Sequence, residues 1–206
     1  GTRSLCLIDA AASQFNCIDL FESKVEFKNP VAGELVLAIG NSELAEVGKD
    51  KIQQFVENVR SAQFDLVIID TPPTMSALQL APMIACDYMI MPFELNSFST
   101  HGISTTMTTV ENIQDELNPN LVFLGLLPSR FKSNDNAQKE ILEQIKASAG
   151  HLLYRDDAII PERQLIGMVA NLKKPVWEIK DNSSCSEVTK IVKPVFENIL
   201  NDVMEK

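Results

Sequence analysis

The chain contains an apolar run closed by a carboxylate: Phe64-Asp65-Leu66-Val67-Ile68-Ile69-Asp70, followed by Thr71-Pro72-Pro73. Four consecutive aliphatic residues predict a strand buried on both faces, the pattern of parallel sheets. In open α/β sheets ligands sit outside the carboxyl ends of the strands, so Asp70 is placed where a magnesium–phosphate site would use it. Magnesium takes carboxylate and phosphate oxygens. The plainer reading is a strand-ending aspartate that caps the next helix.

Elements that could position Asp70 lie on both sides of it. Strands are predicted at Leu5–Asp9, Leu35–Ile39, Leu66–Asp70, Tyr88–Pro92 and Leu121–Leu127, with a shorter one near Leu152–Tyr154. Helical spacing of Leu44, Val47, Ile52, Phe55, Val56 and Val59 predicts a helix over 42–60 with Ser42 as its cap. Further helices are predicted over 75–85, 99–117 and 134–149, the last two stopped by Pro119 and Gly150. Another spans 183–204, where Pro194 should turn or kink it. Strands alternating with helices imply an α/β domain with a parallel sheet covered on both faces. No repeat or linker divides it, so one domain over residues 1–206 is expected.

Composition narrows the function classes. The 206 residues are 45% hydrophobic and 22% charged, which suits a folded globular chain. No apolar run reaches the roughly 18 residues of a membrane span. Cys6, Cys17, Cys86 and Cys185 form no Cys-x-x-Cys pair and lie far from His101 and His151, which argues against zinc. A cytoplasmic setting is expected from this cysteine usage. Net charge is −10, which argues against nucleic-acid binding by the whole surface. It leaves room for a local patch, and Lys173, Lys174, Lys180, Lys190 and Lys193 cluster in the last third. The same lysines could simply solvate a helix face and a turn.

The run Asp70-Thr71-Pro72-Pro73, the helix ending at Ala85-Cys86-Asp87, and the strand Tyr88–Pro92 come in an order that resembles the ParA/MinD family of deviant P-loop ATPases. Leu5–Asp9, Ile159-Ile160-Pro161-Glu162 and Lys173-Lys174-Pro175-Val176 extend the likeness over residues 4 to 203, nearest to ParA-like partition proteins. The resemblance implies a P-loop NTPase-like, doubly wound, mostly parallel sheet. It implies ATP and magnesium as cofactors, with Asp70 as the Walker B carboxylate and Asp9 beside it. It places Ser129, Arg130, Pro161 and Glu162 near the nucleotide base. It also implies a homodimer, a ParB-like partner, and non-specific DNA held by Lys173, Lys174, Lys190 and Lys193, with no membrane contact.

Two departures fall on the catalytic parts. The family's glycine-rich Lys-Gly-Gly-x-Gly-Lys-Thr loop is not in the sequence; the one Gly-Lys step, Gly48-Lys49, lacks the upstream glycine. The first strand, loop and first helix of the family pattern are therefore missing from these residues. After Asp9 the family's second aspartate falls on Ala11, which has no group to ligate a metal or orient water. Hydrolysis is accordingly doubtful, and the alternative is a non-catalytic relative acting as a dimerisation or adaptor module. The resemblance puts the missing strand beside the one ending in Asp70. Two unpaired sheet edges are expected there unless the native gene product is longer, another strand fills the gap or two chains share elements, because unpaired buried backbone groups cost roughly 1–3 kcal/mol each.

Overall fold

A computed structural model describes residues 13–27, 35–72, 74, 76–95, 100–166, 175–179 and 183–205. Asp9, Ala11, Lys173, Lys174, Lys180 and the strand predicted at Leu5–Asp9 lie outside them. By internal contacts the chain forms two compact units, Gly1–Asp87 with Glu111–Leu121, and Tyr88–Val110 with Val122–Lys206.

In the first unit, β1 (Ser13–Asn16) pairs in parallel with β2 (Val36–Ile39), Ser13 opposite Val36 and Asn16 opposite Ile39. A single helical turn, α1 (Asp19–Glu22), follows β1 and buries Leu20 and Phe21. Phe21 stacks on Phe55 of α2 (Ile52–Ser61), with ring centroids 4.5 Å apart. Leu20, Phe21, Phe55 and Ala81 of α3 (Ala77–Ala85) form the core here. Asn58 staples this core. It is 2% exposed, donates to the Leu20 and Ser23 carbonyls at 2.8 and 2.7 Å, and accepts from the Val25 amide at 2.9 Å.

The helix expected over 42–60 is broken. Val47 and Gly48 are extended, leaving 3₁₀ turns at Ser42–Glu46 and Lys49–Lys51 before α2 begins. The cap is Asn41 rather than Ser42, its side chain accepting from the Glu43 amide at 3.2 Å. Glycine's backbone freedom outweighed the helical spacing of the apolar residues around it.

The strand expected at Leu66–Asp70 does not form. The segment runs without bend or turn, but among the described residues it belongs to neither ladder, and no backbone hydrogen bond to it is present. Leu66, Val67 and Ile68 are 41%, 46% and 84% exposed instead of buried on both faces. Strand structure belongs to a pair, and among the described residues no second strand supplies the pairing. Among the described residues, Phe64 just before the segment lies edge-on to Phe27, and Ile69 packs against the phenylalanine core.

In the second unit, β3 (Tyr88–Glu94) pairs in parallel with β4 (Val122–Ser129). Met89 faces Phe123 while Ile90 faces Gly125, so one extra residue bulges from β4. Gly125 has φ +133°, a conformation only glycine adopts without strain, and a Cβ there would run into the backbone of Leu153 and Tyr154. The short strand expected near Leu152–Tyr154 reduces to one bridge, Leu126 with Leu153.

Helix α5 (Asn136–Ala149) starts where Asp135 accepts from the Ala137 and Gln138 amides, and it buries Leu142 and Ile145 against Phe93, Leu95 and Leu126. Helix α6 (Ser183–Met204) passes through Pro194 unbroken. Pro194 and Lys190, whose carbonyl loses its amide donor, are both exposed, so water can serve that carbonyl. Tyr154 and Arg155 both bind the Asp202 carboxylate and tie α6 to the chain leaving Leu153. Between the two halves of the sequence runs α4 (Thr100–Glu116). Asn118, just beyond it, donates to the Met83 and Cys86 carbonyls at 3.1 and 2.8 Å.

Candidate nucleotide-facing corner

The carboxyl ends of β3 and β4 gather Glu94, Ser129, Arg130, Lys132 and Glu162, five polar or charged groups. β4 continues past Ser129 to pair once with Pro161, through Ile160 N–H to the Pro128 carbonyl at 2.9 Å, Phe131 N–H to Ile160 at 3.1 Å and Glu162 N–H to Phe131 at 2.8 Å. This brings Ser129, Arg130, Pro161 and Glu162, 33 residues apart at the extremes, to one strand end.

Arg130 has φ +54°, the left-handed region that a bulky residue occupies only where surroundings hold it. Two carboxylates supply that hold: Nη1 donates to Glu94 at 2.8 Å and Nη2 to Glu162 at 3.2 Å. Lys132 closes the row on Glu162 at 3.1 Å. Glu94 raises the Arg130 pKa first and Glu162 second. Glu162 is held below the usual carboxylate range, by Lys132 first and then, against some desolvation, by Arg130. Ser129 donates its hydroxyl to the Phe93 carbonyl at 3.2 Å, bracing β4 on β3.

The corner is therefore charge-balanced and preorganised. The Arg130 side chain is 63% exposed, with its guanidinium fork held by Glu94 and Glu162. Such a guanidinium plane can stack on an aromatic base, and the neighbouring carboxylates can accept from an exocyclic amine. Pro161 is buried in the bridge, so a ligand would meet Arg130 and Glu162 rather than its ring. Glu94 was missed from sequence; it lies two residues beyond the predicted strand end, and only the neighbouring-strand register reveals it.

Asp70 is in the other unit, exposed at the end of the unpaired segment. Magnesium often takes only one or two protein carboxylates and completes its shell from phosphate and water, so an open Asp70 suits one such ligand. Among the described residues no group of three His, Cys, Asp or Glu side chains converges on a metal position. Lys190 and Lys193 are exposed on one flank of α6, where Lys193 pairs with Glu197 at 3.4 Å. No described helix is long and apolar enough to cross a membrane.

Known proteins resemble this chain at low identity. The chromosome partitioning protein ParA of Caulobacter vibrioides is 25% identical over 127 residues, 61% of this chain and 47% of its own length. The chain thus spans about half the length of the curated ParA proteins it matches. Among solved structures, apo McdA of Cyanothece aligns with TM-score 0.62 at 18% identity, covering 93% of this chain and 88% of that one. Cobyrinic acid a,c-diamide synthase of Mycobacterium smegmatis, solved with an ATP analog and magnesium, aligns with TM-score 0.52 at 18% identity over 71% of this chain and 77% of its own. Both likenesses show a P-loop NTPase-type α/β fold. The family model described as AAA domain matches residues 6–123, more than half of the 206, and the chain therefore belongs to that family, the ParA/MinD-like deviant P-loop ATPases.

Proposed function

We propose that this chain acts as a ParA-like partition protein, binding ATP with magnesium, pairing with a second copy and holding DNA without regard to sequence. A ParB-like partner and the segregation of plasmid or chromosome DNA belong to the same reading. The observation that carries it is the gathering of Ser129, Arg130 and Glu162 at the carboxyl ends of two parallel strands, where open α/β proteins bind ligands. In this reading Arg130 stacks on the base, Glu162 closes one side of it with Pro161 buried behind as support, and Asp70 and Asp9 take the magnesium. Lys173, Lys174, Lys190 and Lys193 meet DNA phosphates. ATP supplies a charged polyphosphate that needs its own cradle of backbone amides, and the sequence has no glycine-rich loop to provide one. Turnover by these 206 residues alone is therefore not proposed.

A second reading, a non-catalytic adaptor, has one observation in its favour: both arms of the Arg130 fork are taken by carboxylates of the chain itself, Glu94 and Glu162. Fluorescence anisotropy of a labelled DNA duplex of arbitrary sequence separates the two. The partition reading expects DNA binding that Mg-ATP strengthens. Lys190→Ala and Lys193→Ala should each reduce the salt slope by about 0.9. DNA binding that is absent or indifferent to nucleotide supports the adaptor.

A further inference from the structure

One carboxylate at the nucleotide-facing corner serves a single cation. Glu94 ends β3 opposite Ser129 of β4. Phe93 and Leu95 on either side of it are 6% and 1% exposed, so the core fixes the backbone from which Glu94 projects. Its Oε1 accepts from Arg130 Nη1 at 2.8 Å, and Arg130 is its one cationic partner among the described residues. Glu162 by contrast is divided, with Oε1 on Arg130 Nη2 at 3.2 Å and Oε2 on Lys132 at 3.1 Å. Two carboxylates and two cations make this ion-paired quartet neutral.

We infer that Glu94 is a positioning residue that decides what Arg130 recognises: it holds the guanidinium as a fixed, charge-balanced face for an uncharged aromatic base and keeps it from anionic phosphate. This rests on Arg130 meeting the base, as proposed for the partition reading. A guanidinium gripped at one nitrogen keeps some freedom to turn, whereas grips at both Nη atoms from two separate chain segments fix its plane. Exposed ion pairs contribute little to stability, so a Glu94 side chain 39% exposed is poorly explained as a folding device. When its donors are free, the same fork matches phosphate oxygens bidentately. Neutralising Glu94 frees one arm of the fork and leaves the quartet with one net positive charge, so phosphate then competes with the base for the same side chain. Arg163 lies beside the quartet, its Nη1 donating to the Glu162 main-chain carbonyl at 3.3 Å. A change at Glu94 leaves Arg163 in place, so comparing variants at position 94 isolates the carboxylate.

The test follows the Arg130 δ-methylene resonances of the full chain by carbon-edited NMR during titration with adenosine and, separately, with inorganic tripolyphosphate. Adenosine carries the base without phosphate and tripolyphosphate the phosphates without a base, so neither probe needs a complete nucleotide site. Adenosine should shift the parent's Arg130 signals saturably through its ring current. Glu94→Gln should weaken adenosine about threefold, the size of an exposed cation–π contact. It should strengthen tripolyphosphate at the same signals about threefold, the size of one exposed ion pair. Glu94→Ala should do the same, and Glu94→Asp, which keeps the charge, should return both affinities toward the parent's. Opposite changes for the two probes separate recognition from mere loosening of the corner, which would weaken both. Either affinity unchanged in folded Glu94→Gln, or both falling together, overturns the inference. If adenosine shifts the parent's signals and Glu94→Gln leaves both affinities unchanged, the nucleotide reading stands and only this inference falls. If the parent's Arg130 signals ignore adenosine, the nucleotide reading of the corner falls and this inference with it.

Discussion

Gly125→Ala should be among the most damaging single-atom-group additions in the second unit. Gly125 sits at the β4 bulge with φ +133°, and a Cβ built there lies 2.6 Å from both Cα and N of Tyr154 and 2.9 Å from the Leu153 carbonyl carbon. All three are backbone atoms, so no side chain can rotate away. The glycine-only backbone region costs a non-glycine residue roughly 1–3 kcal/mol. Forcing a methyl group into a filled space costs about 1–3 kcal/mol more. The sum, about 4 kcal/mol, is a large share of a typical total of about 5–15 kcal/mol. With a urea slope of about 2 kcal/mol/M, the midpoint should fall by about 2 M. Trp177, the sole tryptophan, lies in this unit with its ring 6.2 Å from Phe196, and its fluorescence reports the transition there. Gly150→Ala is the control: it has φ −57° and nothing within 4 Å of a built Cβ, so it should be neutral or slightly stabilising. If Gly125→Ala shifts the midpoint no more than Gly150→Ala, the reasoning from backbone proximity fails.

In the first unit, Asn58→Ala removes one buried and two part-buried hydrogen bonds and leaves the Leu20 and Ser23 carbonyls and the Val25 amide without them. It should cost about 3 kcal/mol or more by urea denaturation followed by circular dichroism, and a loss under about 1 kcal/mol would contradict the stapling role. Acid stability should depend on Glu162 and Asp202. Tyr154 and then Arg155 hold the Asp202 carboxyl below its ordinary range, as Lys132 and then Arg130 do for Glu162. A depressed carboxylate pKa stabilises above the unfolded value, about 4, and that contribution is lost as pH falls through the folded value. The urea midpoint should therefore fall between pH 5 and pH 3, and fall less in Glu162→Gln with Asp202→Asn. Identical pH slopes would refute the assignment.

Local pattern revealed the elements whose stability is local or whose partners the chain supplies. β3, β4, α4, α5 and α6 stand within a few residues of where apolar spacing and caps place them. β1 was illegible because Ser13-Gln14-Phe15-Asn16 has little strand propensity and is a strand only through its pairing with β2. The opposite occurs at Leu66–Asp70, where the residues read as a strand and no partner among the described residues completes it. Ser129, Arg130 and Glu162 were legible by resemblance, but the link through Glu94 joins residues 36 apart and no local signal encodes it.

Calorimetric titration of Mg-ATP into the folded chain and into Arg130→Ala tests the central claim most directly. The account predicts saturable heat from the parent chain and affinity lowered about tenfold when the guanidinium that stacks on the base is removed. Absence of heat from a chain shown to be folded, or equal affinity in Arg130→Ala, would contradict the assignment of this corner to the nucleotide.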